Sequence, residues 1–185
     1  MIKFTQTSYL LCLLLALTST SCAAVEPKAE KSDAQNAAQN EALASQYENE
    51  GNWSERAREV LVNALSLTGV RYKYGGNSPE TGFDCSGFVR YVFKQATTLS
   101  LPRSAIEISQ LGTTIPKNEL QPGDLVFFNT LKSAFSHVGI YVGNNRFIHS
   151  PSSGGKVRVE SMQDGYWAKR FNGAQRIENS KEASQ

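Results

Sequence analysis

The chain has 185 residues, with 19 Lys and Arg against 17 Asp and Glu, for a formal net charge of +2. Its basic residues are scattered and form no run, which argues against nucleic acid as a partner. With 40% hydrophobic and 19% charged residues, the composition is that of a globular protein long enough for one real core, and it excludes disorder throughout.

Met1-Ile2-Lys3 leads to an apolar stretch from Tyr9 to Leu17 and then to small polar residues. A basic start, a short apolar core and a small-residue exit make a secretory signal, too short and wrongly flanked for a membrane span. Export is therefore expected, with residues 1–22 as the signal. Two processing sites compete. Ser19-Thr20-Ser21-Cys22 resembles a bacterial lipobox with Cys22 as the lipidated first residue, although Ser19 stands where Leu or Val is usual. A plain cleavage after Ala23 or Ala24 is the other. Lipidation is favoured, because a cysteine at this border of a Cys-poor secreted chain needs a reason.

The three cysteines are Cys12, Cys22 and Cys85. Cys12 leaves with the signal, and if Cys22 carries lipid, Cys85 is the single thiol of the folded part and has no disulfide partner. An unpaired thiol in an oxidising compartment calls for a functional explanation. Its bland alternative is a buried, inert cysteine.

Residues 23–51 are rich in Ala, Glu, Gln, Asn and Lys, a composition that buries little surface and reads as a flexible tether, though it permits a transient helix. From Trp53 through Ala57, Val60, Leu61, Ala64, Leu65 and Leu67 the apolar spacing of three and four predicts an amphipathic helix, with Ser54 as cap and Gly69 as stop. Gly69 to Asp84 reads as a turn-rich loop. Phe88, Val89, Val92 and Phe93 predict a buried helix over 86–96, with Cys85 at its first turn. A short helix is expected from Leu101 to Gln110. Pro122-Gly123-Asp124 reads as a turn and Leu125 to Phe128 as a buried strand. His137 to Val142 and Arg146 to His149 flank an Asn-containing turn and predict a hairpin. Val157 to Val159 reads as a further strand, with Tyr166, Trp167 and Phe171 packing over the sheet. Helices precede strands, so the fold class is α+β, helices packed on an antiparallel sheet, in a monomeric domain over 52–178 with a flexible tail at 179–185.

A thiolate is the attacking form of cysteine, and the unpaired N–H groups and dipole of a helix start favour it. Cys85 is placed for this, and the amides near Cys85 and Ser86 can donate to an oxyanion. A base is also required, and the chain holds two histidines. His137 opens the first hairpin strand and His149 closes the second, so the antiparallel reversal brings them near one another. Either can be the base, with the other holding its far ring nitrogen. A zinc site built from Asp84, Cys85, His137 and His149 is disfavoured, because neighbours in sequence rarely both reach one ion. No cofactor is expected.

Gly69-Val70-Arg71-Tyr72-Lys73-Tyr74-Gly75-Gly76 and Phe83-Asp84-Cys85-Ser86-Gly87-Phe88-Val89 resemble motifs of the NlpC-type family of bacterial cell-wall cysteine peptidases. Leu101-Pro102-Arg103-Ser104, the segment Leu120 to Phe128, and His137-Val138-Gly139-Ile140-Tyr141-Val142 continue the likeness in order, over about Ala57 to Ile177. The resemblance implies a reduced papain-like domain that hydrolyses peptidoglycan peptides. It implies Cys85 as nucleophile, His137 as base and His149 as the third polar residue. By the same likeness Tyr72 borders the cleft near the oxyanion, while Asp84 and Ser86 bind the stem peptide, Asp84 by pairing with a substrate amine. Arg103 and Ser104 line the cleft. From the residues alone, Tyr72 can equally be core packing, Asp84 a helix cap, Ser86 a first-turn filler and Arg103 a loop anchor.

The tether with its lipidation site is similar to that of outer-membrane lipoprotein endopeptidases of Gram-negative bacteria, which face the periplasm and cut the D-alanyl to diaminopimelyl cross-link. Other relatives cut between γ-D-glutamyl and the diamino acid. A non-hydrolytic wall-binding protein, or an amidase or acyltransferase using the same Cys and His, are the readings from other classes.

Overall fold

The computed structural model describes residues 54–177 apart from 98, 131, 132 and 154, together with Ala38 and Glu41. The signal with Cys12 and Cys22, the rest of the tether, Trp53 and the tail at 179–185 lie outside the described residues. The chain divides into two units, Met1–Ala42 and Leu43–Gln185. Ala38 and Glu41, of the first unit, are helical and exposed, and all that follows concerns the second.

The helical run at 54–66 (α1) buries Ala57, Val60 and Ala64 of the predicted stripe, whereas Leu65 at its edge is exposed. Ser54 already lies inside the run and not ahead of it. The turn at Gly69, with φ of +89°, ends the segment. Asn77–Ser78 (β1) and Gly82–Phe83 (β2) pair as a short hairpin inside the expected loop.

Cys85–Thr97 (α2) follows directly and buries Phe88, Val89, Val92 and Phe93. These pack with Leu125, Phe127, Val138, Ile140 and Ile148 in the main core. Full burial of such side chains stabilises the fold by about 1.5–3 kcal/mol each. The next helix, Ala105–Ile108 (α3), is shorter than expected.

Thr113–Thr114 (β3), Leu125–Phe128 (β4), His137–Gly143 (β5), Arg146–His149 (β6), Arg158–Ser161 (β7) and Phe171–Arg176 (β8) form one antiparallel sheet in the order β3-β8-β4-β5-β6-β7. A single 3₁₀ turn, Lys117–Glu119, and a four-residue helix, Gly165–Ala168 (α4), fill the connections. The result is an α+β domain with helices on an antiparallel sheet. All four residues of β4 are buried because both faces of the sheet are covered. Leu125 and Phe127 face α2, whereas Val126 and Phe128 join Tyr141, Phe147, Met162, Trp167 and Ala174 on the other side.

The β5–β6 turn has Asn144 and Asn145 at φ of 51° and 54°. Two consecutive left-handed residues match the twist of a tight hairpin, and asparagine tolerates them. The expected strand at Val157 to Val159 begins one residue later, because Val157 exchanges backbone bonds with Gly69 and Val70 in place of the ladder. The Asp124 carboxylate of the expected turn is fully buried and doubly bonded to the Arg176 guanidinium at 2.8 and 2.9 Å, which clasps the turn to β8.

Candidate active site

Cys85 is the first residue of α2, and Asp84 caps the helix. Oδ1 of Asp84 accepts the Gly87 N–H at 2.7 Å. The preceding loop lies close against this first turn. A Cβ at Gly87 would stand 2.0 Å from the Gly76 carbonyl oxygen, so glycine is required for the approach.

The Asp84 carboxylate has more partners than a cap needs. It accepts the Gly75 N–H at 3.0 Å and the Ser86 hydroxyl at 3.3 Å, and it forms an ion pair with Arg103 through both oxygens. Arg103 also donates to Ser86 at 2.7 Å. Asp84, Ser86 and Arg103 are thus one network beside Cys85. The Ser104 hydroxyl, by contrast, belongs to a capping box with Glu107 at the start of α3.

The Cys85 thiol is partly buried and unpaired. Burial pushes its pKa up and the Asp84 charge adds to this, against the backbone amides of Val138, Ser86 and Cys85, which favour the thiolate. The helix start does act in the expected direction, but burial and Asp84 outweigh it, so the resting sulfur is a thiol. The Val138 amide belongs to the residue after His137, so the start of β5 lies against the sulfur. Tyr72 shares this environment. Its phenol is raised by burial and then by the nearby Cys85 and Asp84.

His137 and His149 meet on the opposite face of the sheet from α2. Ile140 pairs with Ile148 across β5 and β6, so the register sets Gly139, and not His137, opposite His149. The two rings are diagonal neighbours, within reach for long side chains. Gly139 leaves the space between them open, since a Cβ there would lie 2.7 Å from the Phe147 ring and 3.1 Å from Cβ of His149. His137 Nε2 and His149 Nδ1 are 2.7 Å apart. Trp167 stacks on the His137 ring at 5.4 Å and meets His149 edge-on at 4.9 Å.

Both rings are held neutral. Burial, then the neighbouring His149, lowers His137 to about 3. Burial, then Arg158, lowers His149 to about 3. His149 Nε2 in turn lies 3.1 Å from Oε2 of Glu160. Oε1 of Glu160 accepts from Arg158 Nε at 2.6 Å, and Trp167 Nε1 donates to Oε2. A cleft of about 380 Å³ opens here, lined by His137, Trp167, Glu160, Arg158, Ser152 and Tyr166 among others.

Sequence reading missed Glu160 and Arg158 and treated Trp167 as packing alone. The available signal was an Arg and a Glu two apart on a strand, which share one face once that strand is paired with the one ending in His149. Among the described residues, no group of three or more His, Cys, Asp or Glu is arranged to hold a metal ion, and no helix is long and apolar enough to cross a membrane.

A model of the NlpC/P60 family matches residues 69–176, more than half of the chain. The murein DD-endopeptidase MepH of Escherichia coli (strain K12) is 42% identical over 127 residues, covering 66% of this chain and 47% of the relative. The gamma-DL-glutamyl hydrolase of Bacillus subtilis (strain 168) is 42% identical over 121 residues, covering 65% of this chain and 29% of the relative. The matched region thus spans less than half of either relative. A crystal structure of an NlpC/P60 family protein from Bacillus cereus ATCC 10987 superposes with a TM-score of 0.61 at 31% identity, covering 65% of this chain and 40% of the other.

Proposed function

Because the chain belongs to the NlpC/P60 family of bacterial cell-wall peptidases, we propose that it is an exported peptidoglycan endopeptidase with Cys85 as nucleophile and His137 as base. The observation that carries this reading is the Cys85 thiol at a helix start, against the β5 amide next to His137, whose ring is bonded to a second histidine.

In the proposed reaction, His137 takes the thiol proton as the sulfur attacks the scissile carbonyl. The amides of Cys85 and Ser86 donate to the oxyanion, with the Tyr72 phenol beside them. His137 then protonates the leaving amine, and water activated by the same ring hydrolyses the thioester. Asp84, Ser86 and Arg103 form the substrate-binding wall. An incoming substrate amine would share the Asp84 carboxylate with Arg103, and the solvent-facing side of Arg103 would hold a substrate carboxylate.

The bond proposed is the D-alanyl to diaminopimelyl cross-link, in line with the DD-endopeptidase at 42% identity. Cleavage beside a γ-D-glutamyl residue is the second reading, supported by the hydrolase of equal identity. The proposal places the protein in the periplasm on a lipid anchor at Cys22. Labelling with a fatty-acid analogue should tag the protein and fail on Cys22→Ala; a soluble, unlabelled mature form would overturn the anchor.

Incubation with muropeptides of defined linkage, followed by mass spectrometry of the new termini, tests the activity and distinguishes the two bonds. Products from wild type that were equally abundant with Cys85→Ser would remove the peptidase reading.

A further inference from the structure

The two histidines carry four ring nitrogens, and the contacts around them determine which ones hold protons. Oε2 of Glu160 is 3.1 Å from His149 Nε2 and also receives the Trp167 indole N–H, while Oε1 receives Arg158 Nε at 2.6 Å. Indole and guanidinium nitrogens only donate, so Trp167 and Arg158 both present protons to the carboxylate. Arg158 gives that carboxylate a permanently charged partner in an ion pair.

An ionised carboxylate only accepts, so His149 Nε2 must be the protonated nitrogen. The opposite tautomer would set a ring lone pair against the carboxylate lone pairs. With its proton on Nε2, neutral His149 presents a bare Nδ1 to His137 at 2.7 Å. The contact then requires His137 Nε2–H as donor, which leaves Nδ1 of His137 unprotonated. Burial keeps both rings neutral, the condition under which each has one proton to place.

We propose that Glu160 is a positioning residue that sets the tautomers of both histidines and so leaves Nδ1 of His137 free to accept a proton. This rests on the reading of His137 as the base for Cys85 only for its catalytic consequence; the tautomer assignment stands on hydrogen bonding. When the thiol proton moves to Nδ1, His137 becomes an imidazolium whose Nε2–H is still held by His149. Glu160 lies beyond His149, and against the larger lowering by burial and by His149 its charge acts in the direction that favours that imidazolium.

The chain contains two histidines, so the full-length protein labelled with ¹⁵N in the imidazole rings gives two ring systems in a long-range ¹H–¹⁵N spectrum. At neutral pH both rings are expected as Nε2–H tautomers. Glu160→Ala removes the acceptor, and Nδ1–H forms should appear at both rings. On muropeptides kcat should fall about tenfold or more, a part of what a general base contributes, with KM little changed. Glu160→Gln can turn its amide oxygen to His149 and Trp167 while Arg158, 36% exposed, moves into solvent. It should therefore restore the Nε2–H forms and recover most of kcat.

A wild-type His137 in the Nδ1–H form would overturn the proposal, as would a Glu160→Ala protein with both rings still Nε2–H. Because the wild-type spectrum alone decides the first point, misfolding of a variant does not shelter the idea. If the tautomers respond as stated but wild type cuts no muropeptide, the peptidase reading fails and the assignment of protons survives.

Discussion

The Cys85 thiol stands between opposing influences, and their balance sets how it can react. Three backbone amides favour the anion, while burial and the adjacent Asp84 carboxylate disfavour it and win. His137, pushed down to about 3, does not hold a proton at neutral pH that could pair with a thiolate. The resting groups are therefore a thiol and a neutral imidazole, and in the proposed reaction the proton moves as the sulfur attacks. Alkylation of Cys85 by iodoacetamide should accordingly keep accelerating with pH past the ordinary thiol value of about 8.5. Asp84→Asn removes one of the raising influences, so its alkylation curve should shift to lower pH. A wild-type rate already at its plateau at neutral pH would show a preformed thiolate and contradict this account. Measuring urea midpoints alongside would separate the charge effect from loss of the cap, which costs about 0.5–2 kcal/mol.

The β5–β6 hairpin shows how an element places a side chain that its own register would leave out of reach. His149 lies across from Gly139 and must lean over it to meet His137, and the absence of a Cβ at Gly139 leaves room for that. In Gly139→Ala the new methyl would press on the Phe147 ring, the Ile148 carbonyl at 2.9 Å and the His149 side chain. Overpacking of this kind costs about 1–3 kcal/mol. The larger effect should be on kcat, since displacement of the His149 ring breaks the 2.7 Å contact. A variant that loses thermal stability but keeps wild-type kcat would refute the role of this glycine. The hairpin itself was legible in the sequence, because two apolar runs flank Gly143-Asn144-Asn145, and α2 was legible from Phe88, Val89, Val92 and Phe93. Strand β8 was not. Its Phe-Asn-Gly-Ala-Gln-Arg sequence buries only Ala174, although it lies between β3 and β4 in the sheet. Its place comes from ladder bonds and from the Arg176 clasp on Asp124, and apolar periodicity reports neither. Among the candidate site residues, Cys85 and the two histidines stand out in the sequence by their scarcity. Glu160 and Arg158 do not, as ordinary surface residue types whose meaning depends on which strand lies beside β7.

Across the whole molecule, the buried histidine pair couples folding to pH. Both rings are neutral in the folded state down to about 3, whereas an exposed histidine in the unfolded chain titrates near pH 6.5. Below that value the unfolded chain binds protons that the folded one refuses, so stability must fall as pH falls. The loss begins near pH 6.5 and continues toward about pH 3. By pH 5 it amounts to on the order of 2 kcal/mol for each ring, a substantial part of the 5–15 kcal/mol typical of a domain. Most carboxylates titrate lower, and Glu107, held below its ordinary range by the Ser104 hydroxyl and then the Ser104 amide, belongs to that later stage. The interval between pH 6.5 and 5 therefore reports mainly on the histidines. Urea unfolding of wild type should show a midpoint that drops across this interval. In His149→Asn the slope should be about half as steep, even though the variant starts from a lower stability at pH 7.5. Equal slopes in the two proteins would mean that His149 is protonated in the folded state, and the neutral relay from Glu160 through His149 to His137 could not then exist as described.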